Sequence, residues 1–337
     1  MKRNVQPLAL MLCIALATAA EAQVHELRVS LFTPATNDVN VGFETMAKAL
    51  EQKSGGRLKL KMFHASQLGP PPRQYDLVRT GVADMAYHLH GLTSGRFPLT
   101  ELVELPGVIT TTGAAAGAAL NDLHAEYLAA EHQGTRVLGF MVGASLPLMT
   151  TKLEVRTLAD LKGRRFRHPG PSISASIAAV GAAPVAIQPG EVHDALAKGV
   201  VDGAVIGYTG ASAFKLHDLI RHIAEINFGG VTFVAVMNPA AYDKLPLDLR
   251  KLIDEYSGTA GLAHWAPMFD VAEARNREPM VKAGVKMARL DAKDQAAYDA
   301  LAQKVQETAI ADLEKKGLPA KAYFAKLKQA LARHANK

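Results

Sequence analysis

From Glu26 onward the chain switches repeatedly between two spacings of apolar residues, period two and period three to four. Leu58, Leu60 and Met62 alternate with Lys59 and Lys61, so Arg57 to Phe63 reads as a strand with one buried face. Glu26 to Phe32 reads as a strand before it. Between them Asp38 to Lys53 has helical spacing, with Asn37 or Asp38 as cap and Ser54-Gly55-Gly56 as stop. The order continues as a helix over 71–80, a strand over 83–88, an Ala-rich helix over 113–132 and a strand over 135–141. Strands alternating with helices predict an α/β fold with mostly parallel sheets and helices on their faces.

One stretch occurs twice. "PPRQYDLVRTGVADMA" (Pro71 to Ala86) matches "PGEVHDALAKGVVDGA" (Pro189 to Ala204) at a constant offset of 118, sharing Pro71/Pro189, Asp76/Asp194, Gly81/Gly199, Val82/Val200, Asp84/Asp202 and Ala86/Ala204. In each copy a proline opens a helix, a glycine ends it in a left-handed cap, and a buried strand follows. A helix-to-strand link can converge on this chemistry by itself. The spacing is too long for a solenoid and fits two similar domains facing each other, with a cleft between them as the binding site. A chain of 337 residues, 49% hydrophobic, can bury two cores.

The first residues set the compartment. Lys2 and Arg3 precede an apolar run from Leu8 to Ala20, and Ala20-Glu21-Ala22 has the small-x-small form of a cleavage site. The run is too short for a membrane span and reads as a secretory signal peptide over 1–22, so the mature, periplasmic chain is expected to start near Gln23. Cys13, the only cysteine, lies inside that segment without the small residue before it that lipid attachment needs. The mature chain is then free of disulfides and unanchored, with 36 basic against 31 acidic side chains. Its basic residues are scattered and its aromatics few, which argues against nucleic acid as partner.

In "GRRFRHPG" (Gly163 to Gly170) three arginines fall in four positions. Leu158 to Lys162 reads as a helical turn and Arg164 to His168 as a strand. Arg165 and Arg167 then share one face, with Arg164, Phe166 and His168 on the other. Ligands of open α/β sheets collect at the carboxyl ends of strands, where only Arg167 and His168 stand. Ser172 is expected to cap a helix beside the same spot. Arg167 is therefore the candidate anion clamp, and Arg164 and Arg165 are surface residues.

The stretches "KSGGRLKLKMFHASQLG" (53–69), "LVRTGVADMAYHL" (77–89), "ELPGV" (104–108), "TLADLKGRRFRHPG" (157–170), "VGAAPVAIQPGEVHDALAKGVVDGAV" (180–205) and "VMNPAAYDKLPLDLRKLI" (236–253) give a resemblance over nearly the whole mature chain to the DctP-type solute-binding proteins of tripartite ATP-independent periplasmic (TRAP) transporters. The resemblance implies a two-domain flytrap with a ligand cleft, no enzymatic activity, no cofactor, and a membrane permease as partner. It implies that Arg167 pairs with a ligand carboxylate. It also implies a long domain-spanning helix from about Pro246 to Gly284, in which Pro267 and Pro279 predict a kink or interruption. The boundaries expected are 23–147 with 231–266 for domain I and 148–230 with 267–337 for domain II.

Two departures from the family pattern bear on the ligand. Where the family often has Glu-Asn after the second Asp-Gly, this chain reads Ala204-Val205-Ile206, and "GASLPLMTT" (143–151) lacks the further arginine of acid-sugar binders. A second carboxylate would stay unpaired and costly to bury. The expected ligand is thus a monocarboxylate with an apolar or aromatic body, walled by Tyr208, Phe233, Phe32 and Tyr87, with His88, Ser145, Gln67 and His168 as polar candidates. His88 and His90 share a strand face but lack a third metal ligand nearby. No G-x-S-x-G elbow or P-loop occurs. Trp265 and Tyr256 are expected to pack and to bridge the domains. A sensory protein that docks on a receptor, or a secreted hydrolase, are the alternative readings.

Overall fold

The computed structural model describes residues 23–335. The expected signal peptide lies outside them. No described helix is long and apolar enough to cross a membrane. The strands form two sheets, one in each lobe. In lobe I the order is β2(Leu58–Phe63)-β1(His25–Ser30)-β3(Met85–Leu89)-β10(Val231–Met237)-β4(Arg136–Gly143). In lobe II it is β11(Lys286–Ala288)-β9(His222–Ala224)-β5(Leu148–Thr150)-β8(Gly203–Val205)-β6(Arg165–His168)-β7(Ala183–Ala186). In lobe I, β1 pairs in parallel with β2 and β3, and β10 is antiparallel to both β3 and β4. In lobe II, β6 is parallel to β7 and β8, while β5 runs antiparallel to β8 and β9.

Helices cover the faces. The helix α1(Asp38–Lys53) is capped by Asn37, whose side chain accepts from Val39 N. After it come α2(Gln74–Arg79), α3(Gly113–Leu123), α4(Pro171–Ala179), α5(Val192–Ala197) and α6(Tyr208–Ala213). The Ala-rich segment expected as a single helix over 113–132 keeps α-geometry only to Leu123 and then widens into a π-turn at His124–Leu128. Ser172 does not cap α4. Pro171 opens that helix behind Gly170, and the Ser172 hydroxyl instead donates to Glu101 O at 3.2 Å, tying lobe II to lobe I.

The repeated stretch is a repeated structure. Gly81 and Gly199 both hold φ near +70°, at +77° and +67°, a region glycine enters without steric cost. In lobe I the Asp84 carboxylate accepts from Arg28 N at 2.7 Å, and the Arg28 guanidinium donates to Gly81 O at 2.8 Å. In lobe II Asp202 accepts from Arg165 N at 2.8 Å, and Arg165 donates to Gly199 O at 2.8 Å. Arg165 is thereby given a structural task.

Beyond β10 the chain runs through α7(Pro239–Asp243), α8(Leu247–Asp254), α9(Gly258–Trp265) and α10(Met268–Lys282). The long helix expected over 246–284 is thus three helices. One break falls at Gly258, which has φ +54°, and the other at Pro267. Pro279 stays inside α10. Trp265 and Tyr256 pack, but not across the lobes: buried Trp265 donates to Tyr256 O at 2.7 Å and lies against Phe43 and Gly139 of lobe I. It is α10 that spans, touching α1, α3 and β4 on one side and α6 on the other.

The chain ends with α11(Ala292–Lys315) and α12(Ala320–Ala335). Expected with domain II, α12 packs instead on α3 of lobe I, burying Tyr323, Phe324 and Leu327 in that lobe's outer core. The apolar stripe of α12 finds its cover there, and α11 carries the chain back across.

Candidate functional site

The two sheets present the ends of β1, β3 and β10 from lobe I and of β6 and β8 from lobe II to a common cleft, floored by α10. The cavity there encloses about 630 Å³ of space between the lobes, the open solvent at its mouth included. Its walls are apolar. Phe32 and Tyr87 pack at 4.7 Å between ring centroids, and Phe233 stacks on Phe269 at 4.6 Å and 18°. Leu146 and Val231 of lobe I and Ile206 and Phe214 of lobe II complete them.

Polar groups from both lobes and from α10 interrupt this surface. Arg167 ends β6 and is 2% exposed. Its Nε donates to Ile187 O at 3.1 Å, while no carboxylate lies within ion-pair distance among the described residues. Burial lowers its pKa to about 10, so the guanidinium stays charged at neutral pH but poorly solvated. From lobe I, Asn37 lines the cavity with its Oδ1 committed to the α1 cap. Tyr87 and Thr33 share a short hydroxyl bond, and Thr33 donates onward to Asn40 Oδ1 at 3.0 Å. On α10, Glu273 accepts from Tyr208 N at 2.7 Å and Thr209 N at 2.9 Å. Such a site can clamp a carboxylate and bury a ring, and among the described residues its lining offers one cation, Arg167, for one anion.

Residues 29–312 match the family model DctP, described as bacterial extracellular solute-binding protein, family 7. The chain belongs to this family. Among curated relatives of this solute-binding protein, the "Outer membrane transporter protein TsaT" of Comamonas testosteroni is 28% identical over 82% of each chain. A TRAP solute-binding protein of Rhodoferax ferrireducens, solved with copurified benzoate, superposes with a TM-score of 0.87 at 27% identity over 92% of this chain and 98% of that one. A marine-metagenome TRAP solute-binding protein described as specific for aromatic acid ligands, co-crystallised with 3-hydroxybenzoate, gives 0.88 at 27% identity over 93% and 99%. The two-lobed fold is that of TRAP solute-binding proteins.

Of the residues singled out in the sequence of this family member, Arg167, Phe32, Tyr87 and Phe233 line the cleft. The others lie elsewhere. His88 points to the opposite face of the lobe I sheet, where its Nε2 meets Thr93 Oγ1 at 2.9 Å; in a pleated strand it must face away from Tyr87 and Leu89. Tyr208 contributes its backbone N–H to Glu273, while its ring lies 5.9 Å from the Arg277 guanidinium outside the cavity. His168 is turned back by its own Nδ1, which donates to Gly170 O at 2.9 Å, and leaves Pro169 on the wall. Ser145 and Gln67 are exposed, and Leu146 takes the place next to Ser145. His90 sits behind the sheet with Nε2 3.1 Å from His132 Nε2. No group of three or more metal-ligating side chains placed to hold an ion occurs among the described residues.

Phe269, Phe214, Glu273 and Asn37 line the cleft without having been singled out as site residues. For Phe269 and Glu273 a signal existed in their spacing of four on a helix expected to cross between the domains.

Proposed function

We propose that this protein is the periplasmic receptor of a TRAP transporter, that it captures a monocarboxylate with an apolar or aromatic body, and that it delivers the acid unchanged to a membrane permease. One observation carries the reading. Arg167, buried and charged, opens on an apolar cleft with no carboxylate within ion-pair distance of it among the described residues. A ligand carboxylate supplies a charge-assisted pair, and its body fills the space between Phe32, Tyr87, Phe233 and Phe269. Because the ligand touches both lobes, binding favours the closed arrangement over the open one. Benzoate and 3-hydroxybenzoate, bound by the two structural relatives, are acids of this shape.

The test is thermal melting of residues 23–337, refolded once to strip carried-over ligand, against aliphatic, aromatic, 2-oxo and dicarboxylic acids and their neutral amides. A ligand at a hundred times its dissociation constant adds about 2.7 kcal/mol to the folded state, enough to raise the melting point by several degrees. Aromatic monocarboxylates are expected to raise it and their amides to leave it in place. A panel in which no acid acts removes the reading.

A further inference from the structure

The cleft contains one charged group that carboxylate capture does not use. Glu273 stands on the floor helix α10, among the residues lining the cavity, opposite in sign to Arg167. Its position is closely built. Each carboxylate oxygen accepts one backbone N–H at the start of α6, from Tyr208 and from Thr209. Gly207 makes room for it, since a Cβ there would stand 2.6 Å from Glu273 Oε1. Arg277, one turn along the helix, is engaged by Glu225 at 3.0 Å, and Glu273 has no cationic partner within ion-pair distance among the described residues. A carboxylate has about four acceptor sites; two are taken by backbone N–H groups, the buried Thr209 hydroxyl stands beside a third, and one is left. Burial raises the pKa of this carboxyl even against its two backbone donors and the Thr209 side chain, the mark of an anion short of solvation.

An unsubstituted ring pressed into this cleft would strip water from the remaining acceptor site of Glu273 and return nothing. A donor on the ring would return a charge-assisted bond. We propose that Glu273 is a specificity-determining residue: it accepts a hydrogen bond from a hydroxyl or amino group on the body of the ligand, so that the protein prefers donor-bearing aromatic monocarboxylates to donor-free ones of equal size. This rests on the function proposed above and adds to it. Arg167 fixes the acid end, and Glu273 reads the substituent. Binding sites built to bond a substrate hydroxyl discriminate strongly against analogues that lack it. With two backbone donors retained, Glu273 is expected to discriminate by roughly 10- to 100-fold in affinity.

Isothermal titration of the ligand-stripped protein with benzoate and its 3- and 4-hydroxy, 3- and 4-amino and 3- and 4-methyl derivatives tests this, because methyl matches the size of hydroxyl and amino without a donor. The expected result is that at least one hydroxy or amino acid binds about tenfold or more tightly than its methyl counterpart, and that Glu273→Gln shrinks this ratio to near one. The ratio is read within each protein, so a general loss of stability in the variant does not disturb it. Should the variant fail to fold, the wild-type ratios still decide. Methyl and donor-bearing acids binding wild type within about threefold of each other overturn the role of Glu273 and leave carboxylate capture standing, as does a preference that survives in Glu273→Gln. A wild type that binds none of the seven overturns the role of Glu273, and the wider acid panel above then decides carboxylate capture.

Discussion

Gly91 and Gly170 meet backbone to backbone across the cleft: a Cβ built on either would stand 2.8 Å from the Cα of the other. Gly91 follows β3 in lobe I and Gly170 follows β6 in lobe II. Gly170 has φ −172°, an extended conformation open to any residue, so alanine there adds a contact without backbone strain. Gly170→Ala is expected to hold the lobes apart. Overpacking of this kind costs about 1–3 kcal/mol, or roughly 5- to 150-fold in affinity if it falls on the closed form. Titration of a bound acid, set beside melting of the ligand-free variant, checks it. An unchanged affinity would show that the two loops yield instead.

Arg167→Ala removes the one cation that lines the cleft among the described residues. Truncating one partner of a buried charge pair costs about 2–5 kcal/mol, roughly 30-fold to several thousandfold in dissociation constant. Arg167→Lys keeps the charge but loses the planar fork and is expected to fall between. Binding by the alanine variant within about threefold of wild type would return Arg167 to a structural role.

Stability should peak in mildly acidic solution. His88, His90, His124 and His132 are held neutral by burial, His132 with its pKa lowered to about 4 and His88 to about 3. Below the ordinary value of 6.5 the unfolded chain takes up protons that the native chain refuses, so stability falls as pH falls. Glu101 and Glu104 behave oppositely. Burial, with Glu104 and Glu131 nearby in the case of Glu101, raises their pKa above 4.5. Above that pH the unfolded chain releases protons that the native chain keeps, so stability also falls as pH rises. Between 4.5 and 6.5 the two slopes oppose each other. Melting points measured from pH 3 to 9 are expected to be highest in that window, and Glu101→Gln to flatten the alkaline decline. A melting point that climbs steadily to pH 8 would contradict it.

Asp270, three residues before Glu273, accepts from Gly113 N and Ala114 N, both at 2.8 Å, at the start of α3 in lobe I. One helix thus caps a helix of each lobe from positions one turn apart. Asp270→Ala leaves two N–H groups without that acceptor and is expected to cost about 1–2 kcal/mol, a few degrees of melting temperature. An unshifted melting curve would mean that water replaces the carboxylate without loss.

What was legible in the sequence was local. The proline-to-glycine repeat announced matching units because Gly81 and Gly199 need a left-handed backbone and Asp84 and Asp202 each receive an arginine. Arg167 was legible because strand alternation and a strand end suffice to place it. His88 was misplaced because β3 is buried on both faces, and alternation cannot say which face looks into the cleft. The lobe that receives α12 was hidden for a related reason: an apolar stripe states that it will be covered, not by what. Glu273 escaped because α10 touches both lobes and carries no single stripe to orient it.

The strand β10 fills the gap between β3 and β4 in the lobe I sheet, yet it follows the first five strands of lobe II in the chain. The amino-terminal lobe therefore cannot close as it emerges from the ribosome. Its sheet keeps two unpaired inner edges until residue 237 is available, and such edges are templates for wrong partners. A nascent chain of this design stays unfinished, and in need of shielding, until more than two thirds of it has been made.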